Sequence, residues 1–290
     1  MASAIVFYDE SLPSSWINER WPTRIRDYST KEGFEEKNAL QLSTSIKEIL
    51  GEGGTGTSAI VFSQDLVPRQ LLRSSPIGPL RDYLDAGGRV VWVGDIPLWT
   101  QSFPKRKEQF QGQARETDRE EVWQSGLHYA MLPVHPLIAE SSSLCEWAPE
   151  LQNKMKSRWY SLRPVNVQVG GNWNARFDGE LSITPLASAN VTLIPNAYNA
   201  LVITRWKKSG RQISSYGVSA GAMGIGGNLT FTEKFPKELS LQRMNLACAW
   251  RVSYNKRFPR QGFYRMWDCG DREDDPPSAL LEDMLRLARM

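Results

Sequence analysis

Cysteine and histidine are scarce in this chain, which limits the disulfide and metal chemistry that it can support. Its 290 residues include three cysteines, Cys145, Cys248 and Cys269, an odd number at wide spacing. This pattern matches neither a disulfide framework nor a zinc knuckle, and it favours a reducing compartment. The two histidines, His128 and His135, do not have a recognised metal-ligand spacing. We therefore predict no metal site from either residue type.

Long apolar runs and a strong excess of one charge sign are also missing. No run approaches the roughly 18 apolar residues of a membrane span, and no signal-like stretch precedes the first predicted strand. The 35 basic and 32 acidic residues are mixed along the chain and leave a formal charge of +3. This balance does not indicate a polyelectrolyte partner. We expect a cytoplasmic protein with neither a membrane nor a nucleic-acid partner.

Apolar residues are abundant enough to build a large core. They make up 41% of the chain, and 11 of them are tryptophans. Scattered tryptophans are more often core residues than flat platforms for sugars or bases. A chain of this length fits one large or two modest domains. We predict a single α/β domain over residues 1–290, with residues 98–160 as an insertion or irregular segment within it.

Three segments of the N-terminal third share one pattern. Residues 3–13 read SAIVFYDESLP, residues 58–68 read SAIVFSQDLVP, and residues 89–97 read RVVWVGDIP. Each is an apolar strand followed by an acidic residue and then a proline. The acidic residues at the strand ends are Asp9, Asp65 and Asp95. Strands that end in this way predict one edge of a parallel sheet, where open α/β folds place their ligands.

Helical patterns alternate with these strands. Apolar residues recur at helical spacing from Ile17 to Tyr28, and a further helix is predicted to end at Gly87-Gly88. We predict a short strand at residues 38–40 and a capping box formed by Ser45 and Glu48. Alternating strands and helices favour βαβ units, hence a mostly parallel sheet with helices on both faces. We expect a flavodoxin-like plan.

In the C-terminal half, the sequence predicts a mixture of strands and helices that completes the sheet. Strands are predicted at residues 165–169, 200–205 and 211–216, the last two joined as a hairpin. Residues 239–253 have a helical pattern. Ser278 begins a final amphipathic helix, with acidic residues in its first turn.

Two stretches of this chain also resemble a known superfamily. Residues 80–95 read LRDYLDAGGRVVWVGD, and residues 200–218 read ALVITRWKKSGRQISSYGV. Their order resembles the class I glutamine amidotransferase-like superfamily, particularly its trehalose-utilisation and beta-galactosidase-trimerisation branches, over roughly residues 3–97 and 198–220. The resemblance implies a flavodoxin-like fold. Amidotransferases carry a cysteine in a tight turn after a strand, and this chain has none there, so thiolate chemistry is not expected.

The strand-end residues form the main candidate site. Converging carboxylates hold Mg²⁺, bond sugar or ribose hydroxyls, or act as an acid and a base. The alternative interpretation is that they cap helices or accept turn N–H groups. Asp95 is favoured because the resemblance places it at the family's nucleophile turn, and Gln64 and Asp9 come next.

A second motif predicts a nucleophile. Residues 217–221 read GVSAG, which fits the Gly-x-Ser-x-Gly elbow with Ser219 as the nucleophile, and residues 216–222 resemble the serine turn of the peptidase E group. The elbow requires a helix directly after the serine, yet three glycines follow within residues 224–227. Both histidines also precede Ser219. A glycine-rich loop explains the motif better.

The sequence therefore favours the binding of a small polar molecule, sugar-like or nucleotide-like. The predicted site is built from Asp9, Gln64, Asp65 and Asp95, with Trp16 and Trp99 as walls. One alternative is a hydrolase that uses Ser219 or an aspartate-activated water, with Asp95 as the favoured aspartate. The other is a non-catalytic interaction domain that kept the fold and lost the amidotransferase nucleophile.

Overall fold

The computed structural model describes residues 3–12, 20–71, 78–94, 100–103, 108–110, 113–115, 121–124, 134–138, 143–157, 160–161, 165–169, 182–192, 243–253, 257–258, 260–266 and 278–290. Within its N-terminal part, strands alternate with helices, as predicted. The strands are β1 (Ala4–Phe7), β2 (Glu35–Lys37), β3 (Ala59–Phe62) and β4 (Arg89–Val93). The helices are α1 (Arg20–Lys31), α2 (Ala39–Glu52) and α3 (Pro79–Asp85), with 3-10 helices at Gly54–Thr57 and Arg69–Leu71.

Strands make up most of the described residues after β4. They are β5 (Thr100–Phe103), β6 (Glu108–Phe110), β7 (Gln113–Arg115), β8 (Glu121–Gln124), β9 (Val134–Ile138), β10 (Ser143–Trp147), β11 (Tyr160–Ser161), β12 (Val165–Val169), β13 (Ser182–Thr192), β14 (Arg243–Ser253) and β15 (Gly262–Met266). The helices are α4 (Pro149–Gln152) and α5 (Ser278–Arg289). No helix in the described ranges has both the length and the apolar character to cross a bilayer.

Eleven of the described strands form one mixed sheet that organises the fold. Its main path runs β11-β10-β13-β14-β15-β4-β3-β1-β2, with β12 paired to β14 and β9 paired to β12. Strands β2, β1, β3, β4 and β15 are parallel to one another, and the other pairings in this sheet are antiparallel. Strands β5 and β8 form a separate two-stranded sheet, as do β6 and β7. The fold is therefore α/β, and the predicted parallel sheet is one half of it.

Several local predictions have clear outcomes. The strand at residues 165–169 and the helix that begins at Ser278 are confirmed, but the first turn of that helix contains no acidic residue. Residues 98–160 are not irregular throughout, since they contain β5 to β10 and α4. The helix predicted at residues 239–253 is wrong, because Arg243–Ser253 form β14 and pair with β13. Its leucine, alanine and methionine residues favour a helix locally, and long-range strand pairing overrides that preference.

The start of α2 also differs from the prediction. The strand lies at β2 rather than at residues 38–40, and Asn38 is the N-cap of α2. The Asn38 side chain accepts from the Gln41 N–H at 2.9 Å, and the Gln41 side chain accepts from the Asn38 N–H at 3.0 Å. The capping box is therefore Asn38 with Gln41, not Ser45 with Glu48. Asn38 is the N-cap because it directly precedes the first helical residue and asparagine is a favoured cap, whereas Ser45 lies inside α2.

Helices cover both faces of the parallel strands. In β4, Val91 and Val93 pack in the cluster that contains residues of α1 and α5. Val90 and Trp92 pack in the other cluster, with residues of α2 and α3. Alternate residues of a strand point to opposite faces, so the apolar residues Val90–Val93 are buried between two helical layers.

Aromatic rings fill one of these layers. Phe62 of β3 lies between Phe7 and Trp92, with ring centroids 5.1 Å and 5.3 Å away. The Trp92 ring is also 6.2 Å from that of Phe263. These four side chains are fully buried. Trp92 is thus a core residue, as expected for a scattered tryptophan.

A buried aspartate fastens the last helix to the segment after α4. Asp283 of α5 is fully buried, and its carboxylate accepts the N–H of Ser157 at 2.7 Å and the N–H of Lys156 at 2.9 Å. The Ser157 hydroxyl donates to the same carboxylate. Next to it, the Lys156 ammonium donates to partly exposed Glu282 and holds the pKa of that carboxyl below its usual range. Hydrogen bonding satisfies the buried charge of Asp283.

The Gly-Gly step before β4 makes room for a buried tyrosine. A Cβ on Gly88 would lie 2.3 Å from the Tyr83 ring, so a larger residue does not fit. The Tyr83 hydroxyl lies 2.8 Å from the Ser58 hydroxyl and accepts the N–H of Arg89 at 3.2 Å. Burial raises the pKa of Tyr83 to about 12.

Gly262 at the start of β15 provides a test of packing. Its φ is +133°, and an added Cβ would lie 2.1 Å from the backbone oxygen of Val252. We expect Gly262→Ala to lower the free energy of unfolding by about 3 kcal/mol or more, measured by urea unfolding. Gly51→Ala is the matched control, because no atom lies within 4 Å of its Cβ position in α2. The control should gain about 1 kcal/mol, and equal effects of the two changes would contradict this packing.

Because of Tyr83, we expect the free energy of unfolding to fall in alkali. Its pKa is raised from 10.0 to about 12 in the folded protein, so above pH 10 the unfolded chain loses the proton first. The free energy of unfolding should fall by about 2–3 kcal/mol as the pH rises through this window. Tyr83→Phe should remove that part of the pH dependence in urea unfolding curves. Identical pH profiles for the two proteins would show that the hydroxyl does not titrate in this way.

Candidate ligand site at the carboxyl edge of the parallel strands

The order of the parallel strands reverses next to β1. From β1 the chain passes to β2 on one side and then to β3 on the other. Open α/β sheets bind ligands outside the carboxyl ends of the strands at such a reversal. The residues that follow β1 and β3 there are residues 8–12 and 63–68. They include three of the predicted site residues, Asp9, Gln64 and Asp65.

The Gln64 side chain joins the two loops. Its oxygen accepts the N–H of Asp9 at 2.8 Å, and its amide nitrogen donates to the backbone oxygens of Asp9 and Leu12, both at 3.1 Å. Both amide hydrogens are therefore used within the protein. Gln64 is 2% exposed. It holds the β1 loop against the β3 loop, and its ligand role stays a prediction.

The rest of the β3 loop is buried beside it. The Ser63 hydroxyl donates to the backbone oxygen of Phe7 at 2.6 Å, and the Ser63 N–H reaches the same oxygen at 3.2 Å. Asp65 is 1% exposed. The two near-identical strands therefore end in different surroundings, because the aspartate after β3 is covered and the aspartate after β1 is not.

Asp9 lies at the surface of this edge and is fixed by three donors. One carboxylate oxygen accepts the N–H of Ser11 at 3.1 Å and its hydroxyl at 2.6 Å. The other accepts the N–H of Ala39, the first residue of α2, at 3.0 Å. These are the turn and helix-end hydrogen bonds of the alternative interpretation. Asp9 is partly exposed, and a carboxylate has about four lone-pair positions, so one acceptor position remains.

Two basic side chains near this edge are paired with acids. The Arg26 guanidinium lies 4.5 Å above the Tyr8 ring, 2.7 Å from the Asp27 carboxylate and 3.8 Å from that of Glu36. The Lys37 ammonium forms an ion pair with Glu35. Their charges are balanced within the protein.

The other predicted site residues cannot be located in the same way. Asp95, Trp16, Trp99 and Ser219 lie outside the described residues, as does the hairpin predicted at residues 200–216. In the described part of the chain, no group of three or more histidine, cysteine, aspartate or glutamate side chains is placed to hold a metal ion. Mg²⁺ at this edge stays a prediction that depends on Asp95.

Sequence reasoning missed the partners of Asp9. Ser11 follows it at the spacing of an Asx turn, a short-range signal that is readable in the sequence. Its contact with Ala39 joins residues 30 positions apart and has no such signal. Only the parallel pairing of β1 with β2 brings the start of α2 to the end of β1.

A surface groove lies elsewhere, beside β2 and the second half of α2. Its volume is about 330 Å³, and acidic side chains line it with Lys37. The acids are Glu35, Glu48 and Glu52. Lys37 pairs with Glu35, and the lining does not include the strand-end residues Asp9 and Gln64. The groove is therefore separate from the candidate site.

Comparison with known proteins finds similarity in the N-terminal part of the chain. The model of the MJECL34 family matches residues 2–114. An uncharacterized protein of Methanocaldococcus jannaschii, MJECL34, is 38% identical over 102 residues, which cover 32% of this chain and 33% of the relative. The chain thus spans about a third of the length of that relative. No solved structure matches it.

These findings correct the resemblance inferred from the sequence. The matching family is the MJECL34 family, and neither match points to the class I glutamine amidotransferase-like superfamily. The resemblance was wrong because Gly-Gly before a buried strand serves packing, as Gly88 against Tyr83 shows, and is common in α/β folds. The matched residues 2–114 contain β1 to β4 and the three strand-end aspartates.

Proposed function

We propose that this protein binds a small polar molecule, sugar-like or nucleotide-like, at the carboxyl edge of its parallel strands, and that Asp9 contacts it. One observation carries the proposal: a partly exposed carboxylate lies at the point where the strand order reverses. The order β2-β1-β3-β4-β15 supports a flavodoxin-like plan for this half of the sheet. The wide spacing of the three cysteines supports a reducing, cytoplasmic location.

The surroundings of Asp9 favour a binding role because its position is set before a ligand arrives. Three donors orient the carboxylate, and Gln64 fixes the backbone on which it stands. A group that is already ordered loses little conformational entropy when it binds. Its remaining acceptor position suits a hydroxyl or amine hydrogen of a ligand.

An interaction domain without a small ligand is the second candidate. It is favoured by the way Gln64 fills the junction between the β1 and β3 loops and by the burial of Asp65. The hydrolase alternative depends on Ser219 or Asp95, which lie outside the described residues. Ligand binding tests the first two candidates against each other.

The direct test is thermal stability against a panel of sugars, nucleosides, nucleotides, sugar phosphates and divalent metals. A ligand at 100 times its Kd should stabilise the protein by about 2.7 kcal/mol, or roughly 5–10 °C in Tm. Asp9→Asn keeps an oxygen for the Ala39 N–H, so we expect it to fold and to bind the ligand at least about tenfold more weakly. Asp82→Asn, on the exposed side of α3, removes the same charge elsewhere and should leave binding unchanged. If no compound of the panel raises Tm, or if the two variants weaken binding equally, the interaction domain is favoured.

A substitution at Gln64 tests whether its side chain holds the β1 loop against the β3 loop. Gln64→Ala leaves three buried or half-buried backbone groups without their partner, so we expect a loss of at least about 2 kcal/mol in urea unfolding. Gln41→Ala, the control, removes an exposed capping-box side chain and should cost no more than about 1 kcal/mol. If the two losses are equally small, the amide of Gln64 does not hold the loops and is available to a ligand.

A further inference from the structure

The surroundings of Asp9 also define which ligands this edge can accept. Resting on the proposed function, we infer that Asp9 selects against phosphorylated ligands, so that the ligand is an uncharged or cationic molecule that donates hydrogen bonds. Among the proposed ligand types, this favours sugars and nucleosides over sugar phosphates and nucleotides. The inference follows from the N–H groups around Asp9, which already donate hydrogen bonds to acceptors of the protein.

Two of the first three N–H groups of α2, those of Ala39 and Gln41, are occupied. A helix N-terminus attracts anions because its N–H groups are free and its dipole is positive. Here the Asp9 carboxylate accepts the Ala39 N–H at 3.0 Å, and the Asn38 side chain accepts the Gln41 N–H at 2.9 Å. The Asn38 N–H in turn donates to the Gln41 side chain. The protein's own carboxylate therefore takes the place of a bound anion at this helix.

The backbone of the β1 loop is also engaged. The N–H groups of Tyr8 and Leu12 donate to the backbone oxygens of Lys37 and Asp9, at 3.1 Å and 3.0 Å. The N–H groups of Asp9 and Ser11 donate to the side chains of Gln64 and Asp9. Phosphate-binding loops need successive free N–H groups that point at one anion. These four N–H groups already donate to acceptors of the protein, so they do not form such a cradle.

The charges at this edge also disfavour a phosphorylated ligand. Asp9 is a partly exposed acid at this edge, while Arg26 and Lys37 are paired with acids of the protein. A phosphate beside Asp9 would meet a like charge, whereas a hydroxyl or an amine would meet an acceptor. We therefore expect a phosphorylated compound to bind at least about tenfold more weakly than its unphosphorylated counterpart.

Matched pairs of compounds test this selectivity in the whole chain. Titrations monitored by thermal stability compare glucose with glucose 6-phosphate and adenosine with adenosine monophosphate. The unphosphorylated member that binds should do so at least about tenfold more tightly. Tighter, Asp9-dependent binding of the phosphorylated member would overturn the inference and leave the proposed function standing.

A gain of phosphate binding tests the inference without the natural ligand. Asp9→Ala frees the N–H groups of Ala39 and Ser11 and removes the negative charge, so inorganic phosphate should bind at least about tenfold more tightly to this variant than to the unchanged protein. Asp82→Ala is the matched control and should show no gain. Asp9→Ser replaces Asp9→Ala if the latter does not fold.

The two proposals fail in different ways. If no compound binds in an Asp9-dependent manner but Asp9→Ala gains phosphate affinity, the proposed function fails and the role of Asp9 at the α2 N-terminus stands. If the Asp9 variants that fold gain no phosphate affinity, the inference fails whatever else binds.

Discussion

Burial of the parallel strands on both faces is the constraint that orders the rest of the described structure. Strand β3 is apolar along its length and β4 is apolar from Val90 to Val93, so neither face can meet water without a large loss of hydrophobic free energy. Helices α1 and α5 cover one face, and α2 and α3 cover the other. Space for this packing is tight, and for that reason Gly88 lies against the Tyr83 ring and Gly262 against the backbone of Val252.

The same packing separates the roles of two aspartates that follow near-identical strands. Strand β3 lies between β1 and β4, and the loop after it is covered, including Asp65. Strand β1 has as its other neighbour the three-residue edge strand β2. The loop after β1 therefore stays at the surface, and Asp9 is held there by Ser11, Ala39 and the backbone contacts of Gln64. Sequence repetition did not produce equivalent sites, because the position of a strand within the sheet decides what covers its end.

Much of the N-terminal fold was predictable, because the relevant signals are local. Apolar strands, helical spacing and the Gly-Gly stop before β4 each span a few residues, and β1, β3, β4 and α5 lie close to where these patterns put them. Two failures show the limit of such signals. The capping box was assigned to Ser45 and Glu48, because residues 38–40 were predicted as a strand, whereas Asn38 is the N-cap of α2. Segment 239–253 has the composition of a helix, yet Arg243–Ser253 within it pair with β13 as a strand.

The sequence by itself determined the alternation of strands and helices, the apolar character of the buried strands and the acidic residues that end them. Tertiary structure alone decided the neighbours of each strand, the antiparallel half of the sheet and the exposure of Asp9 against the burial of Asp65. The physical reason is the range of the interactions. Propensity, capping and alternation act within a few residues, whereas strand order and the hydrogen bonds of Gln64 and Asp9 join residues 30 to 55 positions apart.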